Sequence, residues 1–150
     1  MRAVIQRVKE ANVEVDGKVI SKIGEGLVVF LCACVDDEEE DAEALARKIA
    51  YLRIFDDNEG KLNRSVVDVG GEVLLVSEFT LAANIKKGHR PNYLHAAEKE
   101  EAIRLMALFE KTLSSLIKKP ISTGKFGAHM IVSIRNDGPV TLFIDSKDLW

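Results

Sequence analysis

A chain of 150 residues predicts one domain, long enough to bury about 68–70% of its unfolded surface without a disulfide or a metal. With 47% hydrophobic and 30% charged residues it has the composition of a soluble globular protein, and no apolar run reaches the roughly 18 residues of a membrane span. A net charge of −3 excludes polyanion binding by bulk charge and leaves only local basic patches, which can still hold a phosphate backbone.

The first residues, Arg2–Val8, alternate as a strand does, with breaks at Arg2, Gln6 and Arg7. That pattern is not a leader peptide, so the expected location is the cytoplasm. Asn12–Val15 and Lys18–Ile23 flank Asp16-Gly17, a strong hairpin signal. Gly26–Val35 is an apolar run read as a buried central strand. It carries the only two cysteines, Cys32 and Cys34. On a strand these would share a face about 6.6 Å apart, a poor geometry for a bridge, so they read as buried core thiols.

The acidic run at Asp36–Glu43 reads as the start of a helix. Asp37 and Glu40 have capping-box spacing, and acidic residues suit the helix N-terminus. Ala42, Leu45, Ala46, Ile49 and Leu52 continue at helical spacing. Phe55–Asn63 reads as a turn, because its acidic residues fail calcium-loop spacing. Gly70-Gly71 ends the next loop and Val73–Ser77 is a buried strand. Residues from Thr80 to Tyr93 look like loop. A long helix is expected from about His95 to Lys118, its apolar face formed by Ala102, Leu105, Met106, Phe109, Leu113, Leu116 and Ile117, with Pro120 as the stop. A glycine-bearing loop, STGKFGAH, precedes two final strands, the first starting near His129 and the two joined at Asn136-Asp137-Gly138-Pro139. Hairpins dominate and helices are few. The expected fold is α+β: a mainly antiparallel, curved or barrel-like sheet with two main helices.

Motifs for common chemistries are missing. No G-x-S-x-G elbow, Walker A loop, G-x-G-x-x-G or H-E-x-x-H occurs. Nucleotide hydrolysis and zinc catalysis drop out, and no cofactor or metal is expected. Two stretches remain. SEFTL at Ser77–Leu81 is a place where a buried strand runs into a polar loop, where catalytic groups commonly sit. NDGPVT at Asn136–Thr141, taken bare, is a turn. Yet a Gly-Pro pair exposes carbonyls with no side chain on the first residue, and such a backbone can approach a ligand closely.

Together the two stretches resemble the paired motifs of the D-aminoacyl-tRNA deacylases. MRAVIQRV, VDGKVISKIGEGL, DAEALARKIAYLRIFDD, GKLNRSVVDVGGEVLLVSEFTL, KKGHRP and TGKFGAHMIVSIRNDGPVTL follow that family's pattern in order, over essentially the whole chain. The resemblance implies a homodimer with the active site at the subunit interface. It implies an enzyme that removes D-amino acids from the 3′ acceptor end of tRNA, and glycine mischarged on tRNA for alanine. It places Thr80, the Phe79 backbone N–H and Ser77 in catalysis, and a cis Gly138-Pro139 pair, with Glu78, in substrate binding and L-rejection. Glu78 stands where the family usually has Gln, His129 where an acid is common and His89 where Arg is common. Lys86, Lys87, Arg90 and Lys125, on loops, become candidate tRNA contacts. Two rival readings are a non-catalytic acceptor-end binding module and a general hydrolase of small esters.

Overall fold

The computed structural model describes residues 1–149. Its elements are β1 (Arg2–Val15), β2 (Lys18–Ile23), β3 (Gly26–Cys32), α1 (Glu39–Tyr51), β4 (Phe55–Asp56), β5 (Leu62–Arg64), α2 (Val66–Val69), β6 (Glu72–Ser77), α3 (Lys99–Ile117), β7 (Ser122–Thr123) and β8 (Ile131–Asp145). A six-stranded sheet runs β2-β1-β3-β6-β7, with β8 on β1 as well. Strand β1 pairs antiparallel with β2, β3 and β8, while β3–β6 and β6–β7 are parallel. Because β1 pairs with three strands, the sheet curls into a nearly closed barrel. The expected α+β class with a mainly antiparallel, barrel-like core and two main helices is what the chain forms. None of the helices is long and apolar enough to cross a membrane, among the described residues.

The core has two parts. Leu27, Val29 and Leu31 of β3 face α1 and α3 and pack with Leu45, Ile49, Leu105 and Phe109. Val28 faces the other way, with Val8, Val13, Ile23, Leu74 and Val76. Both faces of β3 are therefore buried, which is why its sequence reads as a continuous apolar run.

Several expectations change, each for a physical reason. Arg2–Val8 and Asn12–Val15 are one strand. Ala3 and Ile5 belong to the core under the helices, but Ala11 and Val13 belong to the opposite one. A register irregularity between Val8 and Glu10 reverses the alternation, as a bulge does. The break in pattern marks a change of face, not the end of a strand. Likewise the two C-terminal strands are the single β8, both halves pairing with β1. Gln6 pairs with Thr141 and Val8 with Asn136, so Asp137, Gly138 and Pro139 are looped out of the ladder. Proline, which has no N–H, is tolerated there because no ladder bond is asked of it. The strand begins at Ile131, past His129.

Helix α1 starts later than expected. Its capping box is Glu38 with Asp41, not Asp37 with Glu40. Asp37 is instead buried, accepting the Met1 ammonium at 2.5 Å and the Cys34 N–H at 2.5 Å. Helix α3 starts at Lys99 rather than His95, because the segment before it bonds back to the end of β3: Ala97 N–H donates to Ala33 O at 2.9 Å, and Val35 N–H to His95 O at 3.0 Å. Phe55–Asn63 is more than a turn, since β4 and β5 form a small hairpin around it. The short α2, capped by Ser65 and Asp68, is an element the sequence pattern did not reveal. Cys34 is half-buried, not buried.

Candidate active site

Strand β6 carries the first motif. It lies between β3 and β7, and its backbone pairing to β3 runs through Leu31–Ser77 to one last bond, Glu78 N–H to Leu31 O at 2.8 Å. The chain then leaves the sheet in a short 3-10 turn, Phe79–Ala82. The first N–H groups of such a turn have no acceptor within it. Neither the Phe79 nor the Thr80 N–H donates to any group among the described residues, whereas Leu81 N–H reaches Glu78 O and Ala83 N–H reaches Thr80 O. Two adjacent free donors thus stand at the end of a rigid strand. Phe79 and Thr80 are exposed, and Ser77 and Glu78 half-buried. The Thr80 hydroxyl donates to the Glu78 carboxylate.

Ser77, Glu78 and Phe79, though not Thr80, line a cavity of about 430 Å³ whose walls also include Cys32, Tyr93 and Phe126. The Phe79 and Tyr93 rings meet edge to face at 5.1 Å, which fixes one wall. The Cys32 Sγ lies 3.7 Å from Phe79 O. The neighbouring Cys34 thiol, then burial, push its pKa up, which disfavours the thiolate that a nucleophile needs. A second cavity of about 210 Å³ adjoins the first, sharing Ser77, Met106 and Phe126 and lying along Thr123 and Gly124.

The second motif is built differently. Asn136 Nδ2 donates to Arg7 O at 2.8 Å and to Val140 O at 3.2 Å, spanning the looped-out dipeptide. Arg7 is only 4% exposed. Its Nε donates to Asp137 O at 3.2 Å and lies equally near the Asp137 carboxylate, and a terminal nitrogen donates to Ile54 O at 2.8 Å. A buried guanidinium so engaged holds the backbone on the N-terminal side of Gly138. The Gly138–Pro139 bond is cis, and both residues are exposed. A Cβ added at Gly138 would meet nothing closer than 3.9 Å. Nothing in the chain's own packing calls for glycine there.

The two motifs do not meet within one chain. Val8 pairs with Asn136 and Gly26, and Gly26 with Glu72, so the dipeptide is level with the start of β6, with β1 and β3 between them. Ser77 is five residues further along, about 17 Å at strand rise. Gly138 and Pro139 do not line the Ser77–Phe79 cavity.

Of the basic candidates, Lys86, Lys87 and Arg90 lie on an exposed loop closed by backbone bonds between Asn84 and Asn92, next to Tyr93 of the cavity wall. Lys125 is exposed beside Phe126. None of the four pairs with a carboxylate among the described residues. Sequence reading overlooked Arg7, Tyr93, Phe126 and Asn136. For Arg7 a signal existed: it shares a face with Ala3 and Ile5, so alternation aims its charge inward.

Comparison with known proteins adds the family. The model of the D-Tyr-tRNA(Tyr) deacylase family matches residues 4–145. D-aminoacyl-tRNA deacylases from Caldicellulosiruptor bescii and Persephonella marina are 52% and 53% identical, over 100% and 99% of this chain and all of each relative. Among solved structures, one titled c-Myc DNA Unwinding Element Binding Protein superposes with a TM-score of 0.92 at 41% identity, covering 97% of this chain and 98% of the other. A structure described as a probable eukaryotic D-amino acid tRNA deacylase gives 0.82 at 16% identity, covering 95% and 97%, a likeness of fold.

Proposed function

The chain belongs to the D-Tyr-tRNA(Tyr) deacylase family and is a hydrolase acting on the ester bond of D-aminoacyl-tRNA; from that premise we propose how its residues divide the work. The observation that carries the proposal is the pair of unbonded N–H groups at Phe79, which lines the cavity, and at Thr80, the next residue of the same turn. Ester hydrolysis builds negative charge on the carbonyl oxygen, and two fixed donors are suited to receive it. One such donor is worth about 3–4 kcal/mol in another hydrolase. An aminoacyl ester is already reactive, so positioning does most of the rest. The Thr80 hydroxyl donates its hydrogen bond to Glu78, which leaves its oxygen free to accept from an attacking water or from the substrate's ribose hydroxyl. No covalent acyl-enzyme is needed. The aminoacyl group occupies the larger cavity and the terminal adenosine the adjoining one, past Ser77 and against Phe126, since bases favour aromatic faces.

Chirality is set by Gly138 and Pro139 of a second copy of the chain. The separation of the motifs in one protomer, about 17 Å along the strands with β1 and β3 between them, supports this, and so does the exposure of a glycine that its own fold does not need. The dipeptide's carbonyls face the substrate Cα, one accepting from the α-amino group, and leave room for a side chain on the D side only. A thousandfold preference needs about 4 kcal/mol, well within what a rigid backbone wall can exclude. Glycine has no side chain to reject, so glycine on tRNA for alanine passes as well. Lys86, Lys87, Arg90 and Lys125 form a rim for the acceptor-end phosphates.

The test is release of label from D-tyrosyl-tRNA and L-tyrosyl-tRNA in parallel. Loss from the D ester alone is expected. Protection of both esters would make the protein a binding module, and equal turnover of free D-amino acid esters would make it a general esterase. With binding rate-limiting, cleavage should slow as salt is added; a flat profile would remove the basic rim from the mechanism.

A further inference from the structure

Glu78 presents a carboxylate that pairs with no cation among the described residues. One carboxylate oxygen accepts the Thr80 hydroxyl. The second has no donor, and no cation pairs with the group, among the described residues. It lines a largely apolar cavity open to solvent, where its second oxygen is available to a cationic donor. The other titratable groups facing that cavity are Cys32 from β3, Tyr93 from the loop, and Glu98 and Lys99 at the start of α3. Glu98 has the same sign as Glu78, and Lys99 does not pair with it.

We propose that Glu78 is a specificity residue whose free oxygen receives the substrate's α-ammonium, so that this enzyme selects esters with an unblocked, protonated α-amine. The inference rests on the reading above, with the ester carbonyl at Phe79 and Thr80. Thr80 supplies both a free N–H and the hydroxyl held by Glu78, which puts the carboxylate within one side chain of the carbonyl oxygen. The α-nitrogen is only two bonds from the carbonyl carbon. An ammonium has three N–H donors, so it can serve Glu78 and a carbonyl of the Gly-Pro wall together.

The decisive comparison is Glu78→Gln against the unaltered enzyme, on D-phenylalanyl-tRNA and on D-phenyllactyl-tRNA, whose α-hydroxyl carries no charge. Glutamine keeps an oxygen for Thr80, so only the charge is removed. The expected result is a KM raised about five- to tenfold for the aminoacyl ester at about pH 6 and less than twofold for the hydroxyacyl ester. The difference should shrink as pH rises past the titration of the α-amine, near neutrality. An equal effect on both esters would overturn the proposal. So would a fall in kcat with KM unchanged, which would make Glu78 a general base. If the unaltered enzyme cleaved neither ester, the deacylase reading itself would fail. If it cleaved both and Glu78→Gln changed nothing, this inference alone would fail.

Discussion

At the scale of single residues, the chemistry divides between groups that touch substrate and groups that hold them. In the proposed site Gly138 is of the first kind. Its added methyl would meet nothing closer than 3.9 Å, so Gly138→Ala should leave the melting temperature within about 2 °C of the parent, as a neutral surface change does. Cleavage of D-aminoacyl-tRNA should nonetheless fall at least about tenfold, because the methyl fills space reserved for the substrate. A melting curve and a deacylation assay on one preparation check both halves. Arg7 is of the second kind. Arg7→Met keeps the apolar stem but strands the buried carbonyl of Ile54, at a cost of about 1–3 kcal/mol, and frees the part-buried carbonyl of Asp137. The ratio of D to L cleavage should fall more than the D rate, since the wall loosens while the oxyanion donors stay in place. A variant with lower stability and an unchanged D/L ratio would limit Arg7 to a structural role.

Elements set the positions of these residues, and two of them make sharp predictions. Strands β3 and β6 run side by side, and at Gly26 there is no room for a side chain: a Cβ there would stand 1.8 Å from Glu72 O. Gly26→Ala must push the strands apart, which overpacking data put at about 1–3 kcal/mol or more. A lowered urea midpoint should accompany reduced activity, because β6 carries Ser77 and Glu78 at its far end. Helix α1 is anchored through Asp41. Burial raises the pKa of that carboxyl, but hydrogen bonds from Lys147, the Glu38 N–H and Ser146 outweigh it and leave the value below the usual range. A depressed folded value means stability that is complete above about pH 4, the ordinary Asp value, and lost as pH falls through the folded one. Stability measured against pH should therefore drop in acid, and Asp41→Asn should flatten part of that limb. An unchanged acid limb would show that other carboxylates set it.

For the whole molecule, the site proposed here is complete only in a dimer. In that proposal one copy supplies the Ser77–Phe79 cavity and the other the Gly138–Pro139 wall. This can be tested by subunit mixing. Ala97→Phe should fill the cavity, which Ala97 lines, and Gly138→Ala should spoil the wall. Each homodimer should be inactive. Random re-pairing at equal amounts makes half the dimers hybrid, each with one intact site of two, so about a quarter of the parent activity should return. No recovery after verified exchange would mean that each copy builds its site alone.

Much of this was readable in the chain itself. Core faces of α1 and α3, the β1–β2 turn at Asp16-Gly17 and the apolar β3 run all follow from local periodicity, because burial of one face imprints a repeat on the sequence. The motif residues were legible as types at a strand end and a break. Tertiary structure decided what local patterns cannot express. A bulge in β1 and the loop-out of residues 137–139 turn apparent strand ends into continuous strands, since pairing with a distant partner fixes register. The burial of Asp37, the late start of α3, the grip of Arg7 on a segment 130 residues away and the lone carboxylate of Glu78 in a cavity depend on which segments meet in space, and no local repeat records that.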